Sequence, residues 1–151
     1  MQQPQHLDHY IFATEEESYV GWRVQAIRGA VTVPENSKEA IRDAVTELLD
    51  ELERRNRFNP DDIVSVMFSV TQDLDAIFPA AIARQRPHWG DVPFLDVQHM
   101  YVAGSLERCI RILIQINAST PVEFNHAYLR EAQVLRPDLC VEEMETVSLQ
   151  S

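Results

Sequence analysis

The chain has 151 residues, 45% of them hydrophobic and 25% charged, the make-up of one ordinary globular domain able to bury a core of its own. Its formal net charge of −11 and pI near 4.8 repel anions at long range and argue against nucleic acid or an anionic membrane as partner. Cys109 and Cys140 are the only cysteines; they make no disulfide framework and fit a reducing, cytoplasmic setting. No apolar run is long enough to span a bilayer, and the polar N-terminus lacks the basic-then-apolar order of a signal peptide.

Residues 1–21 are polar and acidic, with Glu15-Glu16-Glu17-Ser18 near their end, and are expected to form a mobile extension outside the core. A first strand is predicted over 24–33, rich in β-branched residues and broken by Gly29. Asn36 stands three residues before Glu39, the spacing of a capping box. Ile41, Val45, Leu48, Leu49 and Leu52 then recur at helical intervals, while Lys38, Glu39, Arg42, Asp43, Glu47, Asp50 and Glu51 cover the other face. This is the long helix, and it ends before Asn59-Pro60. Residues 63–70 read as a second strand, with Ser65 and Ser69 on the face opposite Val64, Val66 and Phe68. Pro79 opens a short helix over 80–85, and Pro87 ends it. A short strand is predicted over 92–97.

In 110–117 the isoleucines Ile110, Ile112, Ile114 and Ile116 alternate with Arg111, Leu113, Gln115 and Asn117, which fits a period of two and not 3.6. Thr120-Pro121 is read as the start of one helical turn, and 126–129 fits strand or helix. Residues 140–151, with Glu142, Glu143 and Glu145, form an acidic tail expected to fray. This order reads as α/β or α+β, with a mixed sheet and few helices. One long helix leaves a sheet face uncovered, so oligomerisation is expected to cover it.

Arg28, Arg111 and Arg136 lie on separate segments, each flanked by apolar residues. An acidic protein that binds an anion must do so through a few fixed local cations, and arginine suits carboxylates. The pattern points to an enzyme for a small dicarboxylate. Arg111 would stand on a strand, a rigid mount for a catalytic group. An edge-strand arginine in a structural ion pair accounts for the same pattern.

Several words occur in order: Ile27-Arg28-Gly29-Ala30-Val31-Thr32-Val33, Phe78-Pro79-Ala80 with Arg84, Val92-Pro93, Cys109-Ile110-Arg111, Ala127-Tyr128-Leu129, and Val134-Leu135-Arg136-Pro137-Asp138-Leu139. Together they resemble the monofunctional, trimeric chorismate mutases of the α/β-barrel class, over residues 22–139. The resemblance implies a mixed five-stranded sheet with one long helix, three subunits in a pseudo-barrel, and active sites between neighbours. It implies the Claisen rearrangement of chorismate to prephenate, a step of phenylalanine and tyrosine biosynthesis, with no cofactor, no metal and no covalent intermediate.

Residue by residue, the resemblance makes Arg28 the holder of the side-chain carboxylate, with Tyr128 assisting. It puts Arg111 beside the ether oxygen. Phe78 becomes an aromatic wall from the neighbouring subunit, with Ala80 beside it, and Arg84 stands at the mouth near the ring carboxylate. Leu135 and Arg136 belong to a segment that closes over the site. Two departures stand out. Where the family has a glutamate that meets the substrate hydroxyl and pairs with the catalytic arginine, this chain has His99. Three residues earlier, where a cysteine is frequent, it has Asp96. The expectation is that Asp96 supplies the missing carboxylate, orienting Arg111 and accepting from the ring hydroxyl, with His99 a further candidate or only a polar strand end. Ala81 replaces a lysine of some relatives. A metal on Asp96, His99 and His88 lacks a ligand-spacing signature. The competing functions are a non-catalytic trimer binding chorismate or another aromatic acid and, more remotely, an enamine or imine deaminase on a similar architecture.

Overall fold

The computed structural model describes residues 21–119 and 122–139. Five strands form one mixed sheet: β1 (Trp22–Thr32), β2 (Ile63–Val70), β3 (Phe94–Gln98), β4 (Cys109–Ser119) and β5 (Ala127–Leu129), in the spatial order β3-β2-β4-β1-β5. β4 runs antiparallel to β1 and β2, while β3 and β5 add parallel strands at the two edges. The long helix α1 (Lys38–Arg55) covers one face, and a short helix α2 (Pro79–Ala83) lies beside it.

Register decides which side chains meet α1. Ile27 lies opposite Ile114 and Val31 opposite Ile110, while Val66, Phe68 and Val70 face Ile114, Ile112 and Ile110 across the other edge of β4. These residues and Ile41, Val45, Leu48, Leu49 and Leu52 of α1 make one buried core. Each fully buried Leu or Ile contributes about 1.5–3 kcal/mol. Trp89 stacks on Phe94 and Phe94 on Phe68, both at 6.3 Å between centroids, which continues the core under β3. The Trp89 indole donates to Glu53 at 3.1 Å, and Arg86 bridges Asp50 and Glu53, so α1 also holds the loop between α2 and β3.

The other face carries Val24, Ala26, Arg28, Met67, Leu95, Leu113 and Arg111, and in a single subunit Val24, Met67 and Leu95 are exposed. This is the uncovered sheet face expected from a chain with one long helix.

Several local details differ from the sequence reading. β1 starts at Trp22 and runs through Gly29 unbroken. A Cβ on Gly29 would come within 2.9 Å of the Ala127 carbonyl oxygen, 3.0 Å of Leu48 Cδ1 and 3.2 Å of Ile112 Cγ2. Gly29 is thus a close-approach residue, where β5 and α1 both press on β1. Gly29→Ala is expected to destabilise the fold by about 1–3 kcal/mol, read as a lower urea midpoint at unchanged slope. The cap of α1 is Ser37, whose Oγ accepts from Ala40 N at 3.1 Å, one residue after the predicted Asn36. Asn36 instead clips the segment after β2, accepting from Asp75 N and Ala76 N and donating to Asp75 Oδ1. A register shift between Ile63 and Ser65 throws Val64 out of the core-facing set, so it is exposed. α2 is shorter than predicted, β3 begins two residues later, and β4 extends to Ser119. Residues 127–129 are a strand. The turn expected at Thr120-Pro121 and the two terminal segments lie outside the described residues, Gly21 apart.

Candidate functional site

The open sheet face gathers several of the candidate residues. Ala30 lies opposite Arg111 and Arg28 opposite Leu113, so the two arginines are diagonal neighbours on one face. β4 is central, not an edge, so the edge-strand reading of Arg111 does not hold. Arg111 is half-buried, its Nε is buried without a hydrogen-bond partner, and no carboxylate among the described residues forms an ion pair with it. A desolvated guanidinium nitrogen without an acceptor is costly, and such groups mark places where a partner is due.

Tyr128 joins this face because β5 runs parallel to β1 and sets it beside Ala30. It is buried with Ala30, Cys109 and Ala132, with Leu106 and Leu135 packed against them. Its hydroxyl is buried without a well-formed hydrogen bond, and the Arg136 guanidinium lies near it. Arg28 is exposed, and its backbone N–H donates to His126 Nδ1 at 2.9 Å, which fixes that ring's acceptor nitrogen. Burial lowers the His126 pKa, as do the nearby Arg136 and Arg28 charges. The turn before β5 is tied to the end of α1: Asn56 donates to Asn125 O and accepts from Asn125 N, and Arg55 donates to His126 O.

His99 also belongs to this face. Its Nδ1 lies 2.8 Å from Ser69 Oγ, and Ser69 pairs with Arg111 in the β2–β4 ladder. Burial pushes its pKa down, and the Arg111 charge pushes it further, so the imidazole is neutral at pH 7. His99 is therefore a half-buried member of the arginine face, not merely a strand end. Ser69 was not a predicted site residue; its phase along β2, shared with Ser65, was the available signal.

Leu135 ends, and Arg136 follows, a 3-10 turn over Arg130–Leu135. The turn begins at Arg130, whose φ of 54° is left-handed, and whose guanidinium donates to Thr32 O at 2.9 Å and to Glu47 Oε2 at 3.0 and 2.6 Å. Glu131 N donates to Thr32 Oγ1. These bonds lock the C-terminal segment onto the end of β1 and onto α1, a role for Arg130 that its sequence context did not reveal. Arg136 makes a bidentate pair with Asp138, at 3.1 and 2.9 Å.

The other candidate residues lie elsewhere. Phe78 is 70% exposed at the start of α2, while Ala80 behind it is buried. Arg84, at the end of α2, places its guanidinium 5.7 Å from the Phe94 ring centroid. Phe78 and Asp96 line an open groove of about 600 Å³ with Val70, Ile77 and Val97. Asp96 pairs with Phe68 in the β2–β3 ladder, and Phe68 pairs with Ile112. Its side chain therefore points to the α1 face, where Oδ1 accepts from Ala80 N at 3.1 Å. Burial raises its pKa, opposed by that bond and by Arg84. This corrects the expectation that Asp96 orients the Arg111 of its own subunit: the pleat of the sheet puts the two side chains on opposite faces.

The chain thus presents Arg28 and Arg111 on the face of β1 and β4, Arg136 after the turn that follows β5, and Arg84 beside β3. The family model for type I chorismate mutase matches residues 24–139. This chain belongs to the type I chorismate mutase family. It is 38% identical over 117 residues to the chorismate mutase AroH of Bacillus subtilis (strain 168), covering 77% of this chain and 92% of the relative. It is 45% identical over 118 residues to chorismate mutase AroH of Thermus thermophilus, covering 77% and 96%. The solved chorismate mutase of Clostridium thermocellum superposes with a TM-score of 0.67 at 39% identity, over 73% of this chain and 98% of that one. The chain is an isomerase that carries out the Claisen rearrangement of chorismate to prephenate. The family acts as a homotrimer on a small molecule bound between subunits. No helix of the described residues is long and apolar enough to cross a membrane.

Proposed function

We propose that this chain rearranges chorismate in a cleft between neighbouring subunits of a cyclic homotrimer, with Arg28, Arg111, Tyr128, Leu135 and Arg136 from one subunit and Phe78, Ala80 and Arg84 from the next. The observation that carries this reading is the separation of the two residue groups within one chain. Two patches that complement each other but differ, at different places on the sheet, make a heterologous interface, the kind that builds a ring when its rotation closes. The exposure of Phe78, Val24, Met67 and Leu95 supports it, since such apolar surface is ordinarily covered by a partner.

In the rearrangement the C–O bond breaks ahead of C–C bond formation, so negative charge grows on the ether oxygen. Arg111, rigidly mounted on the central strand, meets that charge more strongly in the transition state than in the bound substrate. Arg28 and the Tyr128 hydroxyl hold the side-chain carboxylate, and Arg84 of the neighbour takes the ring carboxylate. Phe78 of the neighbour and Leu135 press the flexible substrate into its compact, reactive shape. No proton moves, which fits a neutral His99 that is not a general base. A cytoplasmic setting suits the free, buried Cys109, whose thiol pKa burial pushes up and which is thereby unreactive.

Light scattering during turnover tests the assembly. The expected mass is three times the 17.4 kDa chain, with prephenate forming at the same concentration. An active monomer would sink the shared cleft.

A further inference from the structure

We propose that Asp96 reaches across the subunit boundary and pairs with the Arg111 guanidinium of the neighbouring subunit, positioning that catalytic arginine. This rests on the shared-cleft reading above. Within one chain the pair cannot form, because Asp96 faces α1 and Arg111 faces the open side. Yet Arg111 Nε is buried with no acceptor, and Asp96, though beside Arg84, keeps room for a further donor. Asp73, the acid whose charge reaches nearby His99 and Cys109, is already committed: it accepts from Arg108 N through both oxygens and from Thr71 Oγ1. Asp96 uses Oδ1 for Ala80 N, and its second oxygen accepts no hydrogen bond among the described residues. It is partly desolvated before any neighbour arrives.

Asp96 also travels with the right group. Its bond to Ala80 N fixes it to the same short helix that carries Phe78 and Arg84, so whatever brings those residues to the neighbour's cleft brings Asp96 too. Charge balance points the same way. Arg28, Arg111 and the neighbour's Arg84 exceed the two carboxylates of chorismate by one positive charge, since Arg136 is already neutralised by Asp138. One more carboxylate makes the closed site neutral, and His99 does not supply it.

Asp96→Asn keeps an oxygen for Ala80 N while removing the charge, so α2 stays in place. The expected result is a fall in kcat of roughly ten- to a hundred-fold with little change in KM, and partial recovery in Asp96→Glu. A merely structural role would not give that split or that recovery. Proximity is tested separately, by a property of the sequence: Lys38 is its only lysine. In the Arg111→Lys variant, a zero-length carbodiimide is expected to join subunits covalently through the new amine. The band on a denaturing gel should disappear when Asp96→Asn is added. Wild-type kcat in the Asp96→Asn variant, or a band that survives it, overturns the pair. If wild-type trimers still turn over chorismate in those experiments, the shared cleft stands without it; a monomeric wild-type enzyme overturns both.

Discussion

Arg111→Ala is expected to lower kcat by about two to three orders of magnitude, the effect of removing one preorganised donor from a site where charge develops. KM should move much less, because the carboxylates of the substrate are held by other groups. The fold should hardly notice. Arg111 forms no ion pair among the described residues, and its Nε is a buried donor without a partner, so alanine removes a desolvated polar atom rather than a structural bond. Each chain should therefore still fold while prephenate formation collapses. A kcat within about threefold of wild type would remove Arg111 from the chemistry and leave the electrostatic account without its central group. The comparison with Arg28→Ala adds a directional check. Arg28 is exposed and, in the proposed cleft, would hold charge already present in the substrate, so its loss should appear chiefly in KM.

The contrast between these two arginines was partly visible in the chain itself. The isoleucine alternation of β4 put Arg111 on the face away from the core without any knowledge of the sheet. What alternation could not give was the strand's place in the order. A central strand and an edge strand share the same period of two, and only pairing with both β1 and β2 makes Arg111 a central-strand residue. Asp96 shows the opposite failure. Its place three residues before His99, where the family glutamate is missing, suggested that Asp96 would orient Arg111, yet three residues along a strand means opposite faces. Applied to 96 and 99, the same period would have separated them. His99 remained on the arginine face, paired with Ser69, and Asp96 went to α2.

Caps and locks were the least legible features. Asn36 and Ser37 are both good cap residues, and the choice between them depends on Asp75 and Ala76, some forty residues away, which occupy the Asn36 amide. Arg130 was passed over because its partners, Glu47 and Thr32, are distant in sequence. The ordered words around Arg28, Arg111 and Arg136 were enough to indicate the family, but not which of them a single subunit would bring together.

That division yields the second large effect. Arg111→Ala chains and Phe78→Ala/Arg84→Ala chains should each be nearly inactive alone, since each lacks one half of every site. Unfolded together in equal amounts and refolded, they should recover about a quarter of wild-type activity. In a head-to-tail ring a site works when the first group comes from a Phe78→Ala/Arg84→Ala chain and the second from an Arg111→Ala chain, and random assembly places them so at about one junction in four. No new contact is needed: the intact residues already stand in separate places of one chain, Phe78 exposed at α2 and Arg111 on the far face of β4. If each subunit held a complete site of its own, mixing would restore nothing, because every chain in the mixture would still carry a broken one. Recovery would also scale with the product of the two fractions, peaking at equal mixing, whereas residual activity of either variant would vary linearly.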